Sequence, residues 1–398
     1  MASLLSGFVA HRAKCLIIVI LLLPALGALL AGKGASQENR NLAKWPEQPR
    51  TWPQMQQYPG KIERWFNDHL GLREELIALN NRLRYRLFHQ FPTPQVLQGK
   101  NGRIFLASHT RDQADYLAVQ NVCGYQYHDL PQLVEQFNDF GRTMQKQRLD
   151  AYLLLIPSAP VLYPEELPDW LAARCNAQLP PIQLALQDPQ VQFKSRLLYP
   201  RQALLQAKAS QSVFAKTFFH WSNAGPRIAS ELSMQQFWHT NPAQAPALQT
   251  QTLQQPSDIA NLFPGVRLNS EVEVINFVAS GIKQCHGPAC YPELGPIAAR
   301  LWGVNRFHNP AAPRQRLVLI SDSFGLNLGP WYARYYQDVV QISSNDFGLL
   351  SAPELAQLKA FVFQHASSQD LLFAYHDGTI QGGKRISSDL NIIFGAQR

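Results

Sequence analysis

One short stretch of the chain carries residue types suited to nucleophilic catalysis. Residues 317–320, Leu-Val-Leu-Ile, form an apolar run that is typical of a buried strand, and residues 321–325, Ser-Asp-Ser-Phe-Gly, end it. A buried parallel strand that ends in small polar residues is how α/β enzymes place a nucleophile at the carboxyl edge of a sheet. The pattern predicts that Ser323 lies on the turn, where backbone N–H groups could bind a developing oxyanion.

A candidate base lies about 100 residues upstream of this serine. His220 occurs in Phe-Phe-His-Trp-Ser-Asn-Ala-Gly, just before a helical pattern that Ser222 or Asn223 could cap. His376 competes for the role because it ends a predicted strand at residues 371–375. Such a base takes the serine proton, and it usually needs an acid that orients its ring. A packed structural histidine is the alternative interpretation.

Strand and helix patterns alternate through the part of the chain that must position these residues. Strands are predicted at 151–156, 191–193, 316–320, 339–342 and 371–375, and helices at 129–148, 202–209, 227–238 and 353–364. This alternation predicts a mainly parallel sheet with helices on both faces. Residues 241–315 are rich in proline and glutamine with weak periodicity, and they predict an irregular insertion before the serine strand.

The N-terminal region predicts a membrane anchor and a stalk. Residues 15–31 carry no charge and follow three basic or titratable residues, His11, Arg12 and Lys14. At ~1.5 Å per residue they reach the short end of a membrane span, and the positive flank would stay in the cytoplasm. A cleaved signal peptide is the alternative. We expect a signal anchor at 1–35, an extended linker and helical stalk at 36–95, and the main domain at 96–398.

The cysteines favour an oxidising compartment. Apart from Cys15 in the apolar segment, the chain has Cys123, Cys175, Cys285 and Cys290. The close spacing of the last two suits a local disulfide, which leaves Cys123 to pair with Cys175. A metal site that uses His286 is the alternative, but a second pair with metal-ligand spacing is missing from the sequence, so we predict no metal.

Composition sets limits on the class of protein. The 398 residues are 46% hydrophobic and 16% charged, which is enough for a large core or two domains. Lys plus Arg exceeds Asp plus Glu by 36 − 28, or +8. The basic residues are scattered and form no nucleic-acid motif, so we predict no nucleic-acid partner. A solvated basic surface, an acidic polysaccharide or an anionic membrane surface accounts for the charge.

Six short segments, taken together and in order, carry a resemblance. They are Asn-Arg-Asn-Leu-Ala (39–43), Asp-His-Leu-Gly-Leu-Arg (68–73), Gly-Lys-Asn-Gly-Arg-Ile-Phe-Leu (99–106), Tyr-Pro-Glu (163–165), Thr-Phe-Phe-His-Trp (217–221) and Ser-Asp-Ser-Phe (321–324). On these residues the sequence resembles the AlgJ/AlgX-like alginate O-acetyltransferases, over about residues 37 to 345.

This resemblance implies a fold, an activity and partners. The fold is an SGNH-hydrolase-like three-layer α/β/α sandwich. The activity is O-acetylation of an exported polysaccharide in the periplasm, by a protein anchored in the inner membrane and without a cofactor. The acetyl donor is supplied by a multispanning membrane-bound O-acyltransferase, among other polysaccharide biosynthesis proteins.

Two departures from the family pattern bear on the predicted site. The family motif is Asp-x-His-Trp, and Phe218 occupies the position of its acid; the serine motif usually begins with glycine, and here it begins with Ser321. A serine protease that loses the equivalent acid loses about 10⁴ in kcat. A carboxylate from elsewhere could substitute, the candidates being Asp322, Asp346 and Asp377. Otherwise Ser323 and His220 act as a dyad, or the site is degenerate.

The sequence therefore predicts an O-acyltransferase in which His220 takes the proton of Ser323. Asn345, Trp221 and Phe324 are candidates for oxyanion or substrate contacts. An esterase differs only in using water as the acceptor. The alternative class is a non-catalytic module that binds glycan through aromatic residues such as Trp221 and Trp331, or scaffolds a biosynthetic complex. An acid beside His220 favours catalysis, whereas a plug of Phe218 and Phe219 against its ring favours the module.

Overall fold

The chain forms two compact units. The computed structural model describes residues 18, 43–69, 73–108, 110, 116–125, 127–176, 179–364, 368–383 and 385–395. One unit comprises Met1–Pro92 with Phe263–Val266, and the other comprises Thr93–Leu262 with Arg267–Arg398. The predicted signal anchor lies outside the described residues, except for Ile18. Among the described helices, none has the length and apolar character that a membrane span requires.

The first unit consists mainly of two helices, α1 (Trp52–His69) and α2 (Arg73–Phe88). Residues 263–266 pack on α2 within this unit, where the Asn81 side-chain amide donates to the Pro264 carbonyl at 2.9 Å. Gly265 has a φ of +88°, and a Cβ there would lie 2.1 Å from the Ala78 carbonyl oxygen. Only glycine fits this contact, because both the backbone angle and the close approach exclude a side chain.

The second unit is built around a central sheet. Its strands are β1 (Val96–Gln98), β2 (Ile104–Leu106), β3 (Ala151–Ile156), β4 (Leu197–Leu198), β5 (Thr250–Pro256), β6 (Asn269–Ile275), β7 (Lys283–His286), β8 (Val304–His308), β9 (Arg314–Ser321), β10 (Tyr336–Ser343) and β11 (Asp370–His376). Seven strands of the described chain form the sheet, in the order β4-β3-β11-β9-β10-β8-β7. β1 with β2 and β5 with β6 form separate antiparallel pairs.

The sheet is mixed, which corrects the prediction of a mainly parallel sheet. The strands β4, β3, β11, β9 and β10 pair parallel to one another. At one edge, β8 pairs antiparallel with β10, and β7 pairs antiparallel with β8. Both added strands come from the segment predicted as an irregular insertion. β7 is largely exposed and reads Lys-Gln-Cys-His, so it shows no apolar run that sequence reasoning could recognise.

Helices cover both faces of this sheet. They are α3 (Leu117–Cys123), α4 (Leu130–Gln147), α5 (Ala159–Leu162), α6 (Asp169–Asn176), α7 (Pro181–Gln187), α8 (Arg201–Ala207), α9 (Ala224–Trp238), α10 (Pro296–Arg300), α11 (Gly329–Tyr332), α12 (Ala352–Phe363), α13 (Asp377–Gly383) and α14 (Arg385–Phe394). Along β9, Val318 and Ile320 enter one apolar core, and Leu317 and Leu319 enter the other. Successive strand residues point to opposite faces, so β9 is buried on both sides.

Two disulfides join the cysteines in the predicted pairs. Cys123 of α3 bonds to Cys175 of α6, with their Cα atoms 4.9 Å apart, and Cys285 bonds to Cys290, with their Cα atoms 5.5 Å apart. His286 between the latter two faces the Asn305 side-chain oxygen at 2.7 Å. In the described chain, groups of His, Cys, Asp and Glu that could hold a metal ion are absent.

Candidate active site

The turn after β9 presents Ser323 at the carboxyl edge of the sheet. Asp322 caps a 3₁₀ helix, Ser323–Asn327, and its side chain accepts a hydrogen bond from the Phe324 N–H at 2.9 Å. Ser323 is half-buried, and within the described residues its N–H and Oγ have no recorded hydrogen bond. Gly325 is required in this turn because a Cβ there would lie 2.1 Å from the Ser321 Cβ. Because the Ser323 N–H makes no recorded hydrogen bond within the described residues, it is available to bind an oxyanion.

The loop that carries His220 is bound to this turn. The His220 ring lies 4.9 Å from the Phe324 ring, centroid to centroid. The Trp221 indole N–H donates to the Phe324 carbonyl at 2.7 Å, and the Asn327 side chain donates to the Trp221 carbonyl at 2.8 Å. Trp221 is fully buried. These contacts place His220 beside the residue that follows the candidate nucleophile.

Asp258 is the carboxylate partner of His220. Its Oδ2 lies 2.8 Å from the imidazole Nδ1, and it also accepts hydrogen bonds from the Phe219 and His220 backbone N–H groups, at 2.8 and 2.9 Å. An Nδ1–H that donates to Asp258 leaves the lone pair on Nε2, the arrangement of a general base. Nε2 is buried and has no hydrogen-bond partner in the structure. Ser323 and His220 are thus not hydrogen-bonded to each other here, and such contacts often tighten only when substrate binds.

A β-hairpin delivers Asp258 to this position. The residue follows β5, which pairs with β6 from Thr250 opposite Ile275 to Pro256 opposite Asn269. The hairpin is tethered to the histidine loop by the Asn223 side chain, which accepts from the Glu273 N–H at 2.8 Å. Thr217 adds hydrogen bonds to the Ser270 hydroxyl, from its N–H at 3.1 Å and between the two hydroxyls at 2.9 Å.

Phe218, which replaces the acid of the family motif, also holds this hairpin. Its side chain is 8% exposed and packs with Ala215 and with Val272 of β6. Phe218, at the position of the motif's acid, therefore packs against the same hairpin that carries Asp258. Phe219, in contrast, does lie against the imidazole, with the ring centroids 4.9 Å apart. The acid beside His220 that favours catalysis is therefore present. Of the two phenylalanines predicted to plug the ring in a non-catalytic module, only Phe219 contacts the imidazole, and Nδ1 remains paired to Asp258.

None of the three carboxylates predicted as substitutes is the partner of His220, so that prediction was wrong. Asp322 binds His376 instead, at 2.8 Å between Oδ2 and Nδ1. Asp346 accepts from the Trp302 N–H at 2.8 Å. Asp377 accepts from the Ser158 N–H at 3.0 Å, and burial raises its pKa. Each lies next to the turn or at a strand end in sequence, but each is bound to a residue other than His220, on a different segment of the chain.

Sequence reasoning missed Asp258 because its segment shows no strand pattern. Residues 250–256 are Thr-Gln-Thr-Leu-Gln-Gln-Pro, and most of this strand is exposed. β5, the strand that leads to Asp258, is polar and leaves no apolar alternation to detect. The available signal was the departure at Phe218, which indicates that an acid must come from a different element if the histidine is to act.

Asp322 and His376 form a second, buried pair, and its histidine ring also contacts Phe324. Asp322 Oδ2 accepts from the His376 N–H and lies 2.8 Å from Nδ1, and the Thr379 hydroxyl donates to it at 2.5 Å. Burial favours the neutral acid, but the attraction of His376 and these hydrogen bonds outweigh it and lower the pKa of Asp322. The His376 ring stacks on Phe324 at 4.1 Å. This pair fixes the turn that carries Ser323.

The remaining predicted contacts are structural in this conformation. Trp221 and Phe324 are completely buried, and Trp331 is 7% exposed. These three rings therefore do not form an exposed aromatic surface. Asn345 is exposed, and its side-chain oxygen accepts from Arg385 at 3.3 Å.

A small apolar cavity lies beside the same aromatic residues. Its volume is about 20 Å³, and its walls include Phe105, Val122, Ala159, Phe219 and His376. The Phe219 ring lies 4.9 Å from the Phe324 ring, and the His376 ring stacks on Phe324 at 4.1 Å, centroid to centroid. The cavity therefore shares two walls with the surroundings of the Ser323 turn. It has room for little more than one water molecule, which needs roughly 10–15 Å³.

Comparison with known proteins gives a resemblance of fold. Solved structures that resemble the chain include Bacillus cereus PatB1 with a sulfonyl adduct, at 13% identity, 74% of this chain, 97% of that chain and a TM-score of 0.48. The O-acetyltransferase domain of Pseudomonas putida AlgJ is 14% identical, with 75% of this chain and 99% of that chain covered and a TM-score of 0.42. Pseudomonas aeruginosa AlgX is 11% identical, with 76% of this chain and 67% of that chain covered and a TM-score of 0.44. No family model and no curated protein matches the chain.

AlgJ and AlgX are the proteins for which the family of the sequence resemblance is named, so the predicted resemblance is confirmed.

Proposed function

We propose that this protein is a serine O-acyltransferase in which Ser323, His220 and Asp258 form the catalytic triad. The observation that carries the proposal is the Asp258 carboxylate 2.8 Å from His220 Nδ1. It supplies the acid that the histidine motif lacks, from an element elsewhere in the chain. Asp258 can orient the ring so that Nε2 acts as a base, and within the described residues Nε2 has no hydrogen-bond partner.

The first half-reaction forms an acyl-enzyme. His220 Nε2 takes the proton of Ser323 Oγ as Oγ attacks the acyl carbonyl carbon of the donor. The new C–O bond places negative charge on the carbonyl oxygen, and the Ser323 N–H binds it. When the tetrahedral intermediate collapses, the bond to the donor breaks, and the imidazolium returns its proton to the leaving group. Asp258 stabilises the imidazolium through Nδ1–H.

The second half-reaction passes the acyl group to a hydroxyl. Nε2 deprotonates the acceptor as its oxygen attacks the acyl carbon, and Ser323 Oγ leaves with the proton. The sequence resemblance supports an exported polysaccharide as acceptor and a multispanning membrane-bound O-acyltransferase as the source of the acyl group. The two disulfides suit an oxidising compartment such as the periplasm. An esterase differs only in that water enters at this step.

The apolar cavity supports a short acyl group. A cavity of about 20 Å³ that shares walls with the surroundings of the turn suits the methyl of an acetyl group better than a longer chain. Acylation rates with the 4-nitrophenyl esters of acetate, propionate and butyrate test this. We expect the rate to fall at each added carbon; equal rates would mean that the cavity does not receive the acyl chain.

Intact-protein mass spectrometry of the full chain with 4-nitrophenyl acetate tests the proposal. We expect an acetyl adduct on the wild-type chain and none on Ser323→Ala. Ser321→Ala is the matched control, because the Ser321 hydroxyl is fully buried and has no hydrogen-bond partner, and it should acylate normally. An adduct that persists in Ser323→Ala would overturn the assignment. Faster loss of the adduct with oligosaccharide than with water alone separates a transferase from an esterase.

A further inference from the structure

Helix α2 presents a row of exposed leucines to solvent. Leu76, Leu79, Leu83 and Leu87 are 46%, 48%, 49% and 68% exposed. Their spacing of three, four and four residues keeps them on one stripe of the helix, because each residue turns the helix by about 100°. The row extends over three turns, roughly 17 Å.

The opposite side of α2 is the one that packs within its own unit. Asn81 is 4% exposed and binds the Pro264 carbonyl, and Ala78 lies against Gly265. The leucine row is therefore not the core face of the helix. Single exposed leucines are ordinary on protein surfaces, but a contiguous apolar row marks an interaction site.

Charged residues are distributed unevenly along α2. Arg73, Glu74 and Glu75 lie in the first turn, one positive and two negative charges, whereas Arg82, Arg84 and Arg86 lie in the last two turns. Of these, Arg82 donates to the Gly265 carbonyl at 3.3 Å and Arg84 to the Gln90 side chain at 3.4 Å. Within the described chain, Glu75 and Arg86 have no recorded ion pair, and both lie on the same edge of the leucine row. This edge therefore has an acidic residue near one end and a basic residue near the other.

We propose that the leucine row of α2 is the interface with a second copy of this chain, paired antiparallel. Antiparallel pairing sets the acidic end of each helix against the basic end of the other, with Glu75 of one copy level with Arg86 of its partner. Leu79 of one copy then lies level with Leu83 of the other. Parallel pairing would collect six arginines at one end, which is repulsive, and would separate the Glu75 of each copy from the Arg86 of the other.

The charge pattern selects this occupant over two others. The apolar segment at 15–31 has no charged residue and offers nothing to either end of the row. An anionic lipid surface attracts the arginines but repels the two glutamates of the first turn. A second copy complements both ends with the same surface, as a twofold interface requires.

Cysteine cross-linking of the full chain in native membranes tests the pairing. Two differently tagged copies, both Cys15→Ser, are co-expressed and oxidised. We expect Leu76→Cys to cross-link with Leu87→Cys, and Leu87→Cys not to cross-link with itself. The reverse result would mean parallel pairing and would contradict the proposal. Ile77→Cys, off the leucine row, is the control and should give no product.

Charge reversal tests the complementarity. Glu75→Arg should lower the yield of the Leu79→Cys with Leu83→Cys product about fivefold, and Glu75→Arg with Arg86→Glu should restore it. Leu79→Glu should abolish dimers with an unchanged melting temperature, because the leucine is exposed in the monomer. A monomeric mass for the wild-type chain at every concentration would overturn the proposal. So would loss of vesicle binding in Leu79→Glu without change in mass, which would assign the row to lipid.

Discussion

Two aspartate–histidine pairs have their histidine rings in contact with Phe324, and they have the same geometry in different surroundings. Both pairs join a carboxylate Oδ2 to an imidazole Nδ1 at 2.8 Å. The His220 and Asp258 side chains are 22% and 19% exposed, whereas those of His376 and Asp322 are 6% and 1% exposed. The bond itself therefore does not identify the catalytic pair; the greater exposure of the His220 and Asp258 side chains, and an Nε2 without a hydrogen-bond partner among the described residues, favour that pair.

The two pairs also differ in the structural elements that they connect. Asp322 sits at the end of β9 and binds His376 at the end of β11, so this pair connects two adjacent strands of the sheet. Asp258 comes from a hairpin outside the sheet and binds a histidine on a loop. The first arrangement suits a fixed support for the Ser323 turn. The second leaves an imidazole whose Nε2 has no partner in the structure.

The largest predicted effect is the difference in acylation rate between His220→Gln and His376→Gln. His220→Gln should slow acylation of Ser323 about 10⁵- to 10⁶-fold, because removal of the base of a triad costs about as much as removal of the whole triad. His376→Gln should leave acylation within about tenfold and lower the free energy of unfolding by about 1–3 kcal/mol. Stopped-flow acylation and urea unfolding of both variants measure this. Equal loss of acylation in the two variants would make His376 part of the chemistry.

Asp322→Asn should cost stability. It leaves the neighbouring donors without a charged acceptor in a buried site, and we expect a loss of about 3–5 kcal/mol in the free energy of unfolding. Asp258→Asn, in a partly exposed pair, should cost less than about 1 kcal/mol. Urea unfolding of the two variants at pH 7 makes the comparison, and a similar loss in both would contradict it.

The effect of Asp322 should depend on pH. Its pKa is lower in the folded chain than the ordinary value of about 3.9. Its contribution to stability is thus complete above that value and is lost as the pH falls through the folded pKa. The difference in stability between wild type and Asp322→Asn should shrink between pH 7 and pH 3. A constant difference would show that the charge of Asp322 is not what stabilises the turn.

Moving the acid tests whether its origin matters. In an Asp258→Asn background, Phe218→Asp restores the family motif, and we expect it to recover about tenfold of the lost acylation rate, because the new carboxylate lies two residues from His220. Recovery stays partial because Phe218 also packs against Val272. Phe218→Asn in the same background is the control, and it should recover none of the lost acylation rate. Recovery in Phe218→Asn would show that the negative charge of the carboxylate is not needed.

The tether of the hairpin should have the smallest effect. Asn223 has a φ of +55° and holds Glu273, so Asn223→Gly removes the tether without adding backbone strain. We expect the acylation rate to fall about tenfold with an unchanged KM, since a misplaced acid affects only the transition state. Ser210→Gly, on an exposed loop, is the control. An unchanged rate in Asn223→Gly would show that other contacts suffice to place Asp258.

The sequence predicts the parts of this molecule that depend on apolar pattern. The run at 317–320 indicates a strand buried on both faces, and it is the core of β9. The helix predicted at 129–148 is α4, from Leu130 to Gln147. Both follow from the periodicity with which apolar residues must meet a core.

What the sequence does not predict depends on polar contacts between distant segments. Asp258 and His220 are 38 residues apart, and the hairpin between them is mostly exposed. No local pattern requires a carboxylate at 258, so nearer aspartates were the natural candidates. The antiparallel strands β7 and β8 were missed for a similar reason, since the edge of a sheet need not be apolar.

The rate of acetyl-enzyme formation in Asp258→Asn tests the central claim most directly. The full-length wild type and variant are mixed with 4-nitrophenyl acetate, and the adduct on Ser323 is followed by quenched intact-protein mass spectrometry. We predict that the variant folds normally, acylates the same serine and does so about 10⁴-fold more slowly. A folded Asp258→Asn chain that acylates at the wild-type rate would show that His220 acts without an acid, and would contradict the triad.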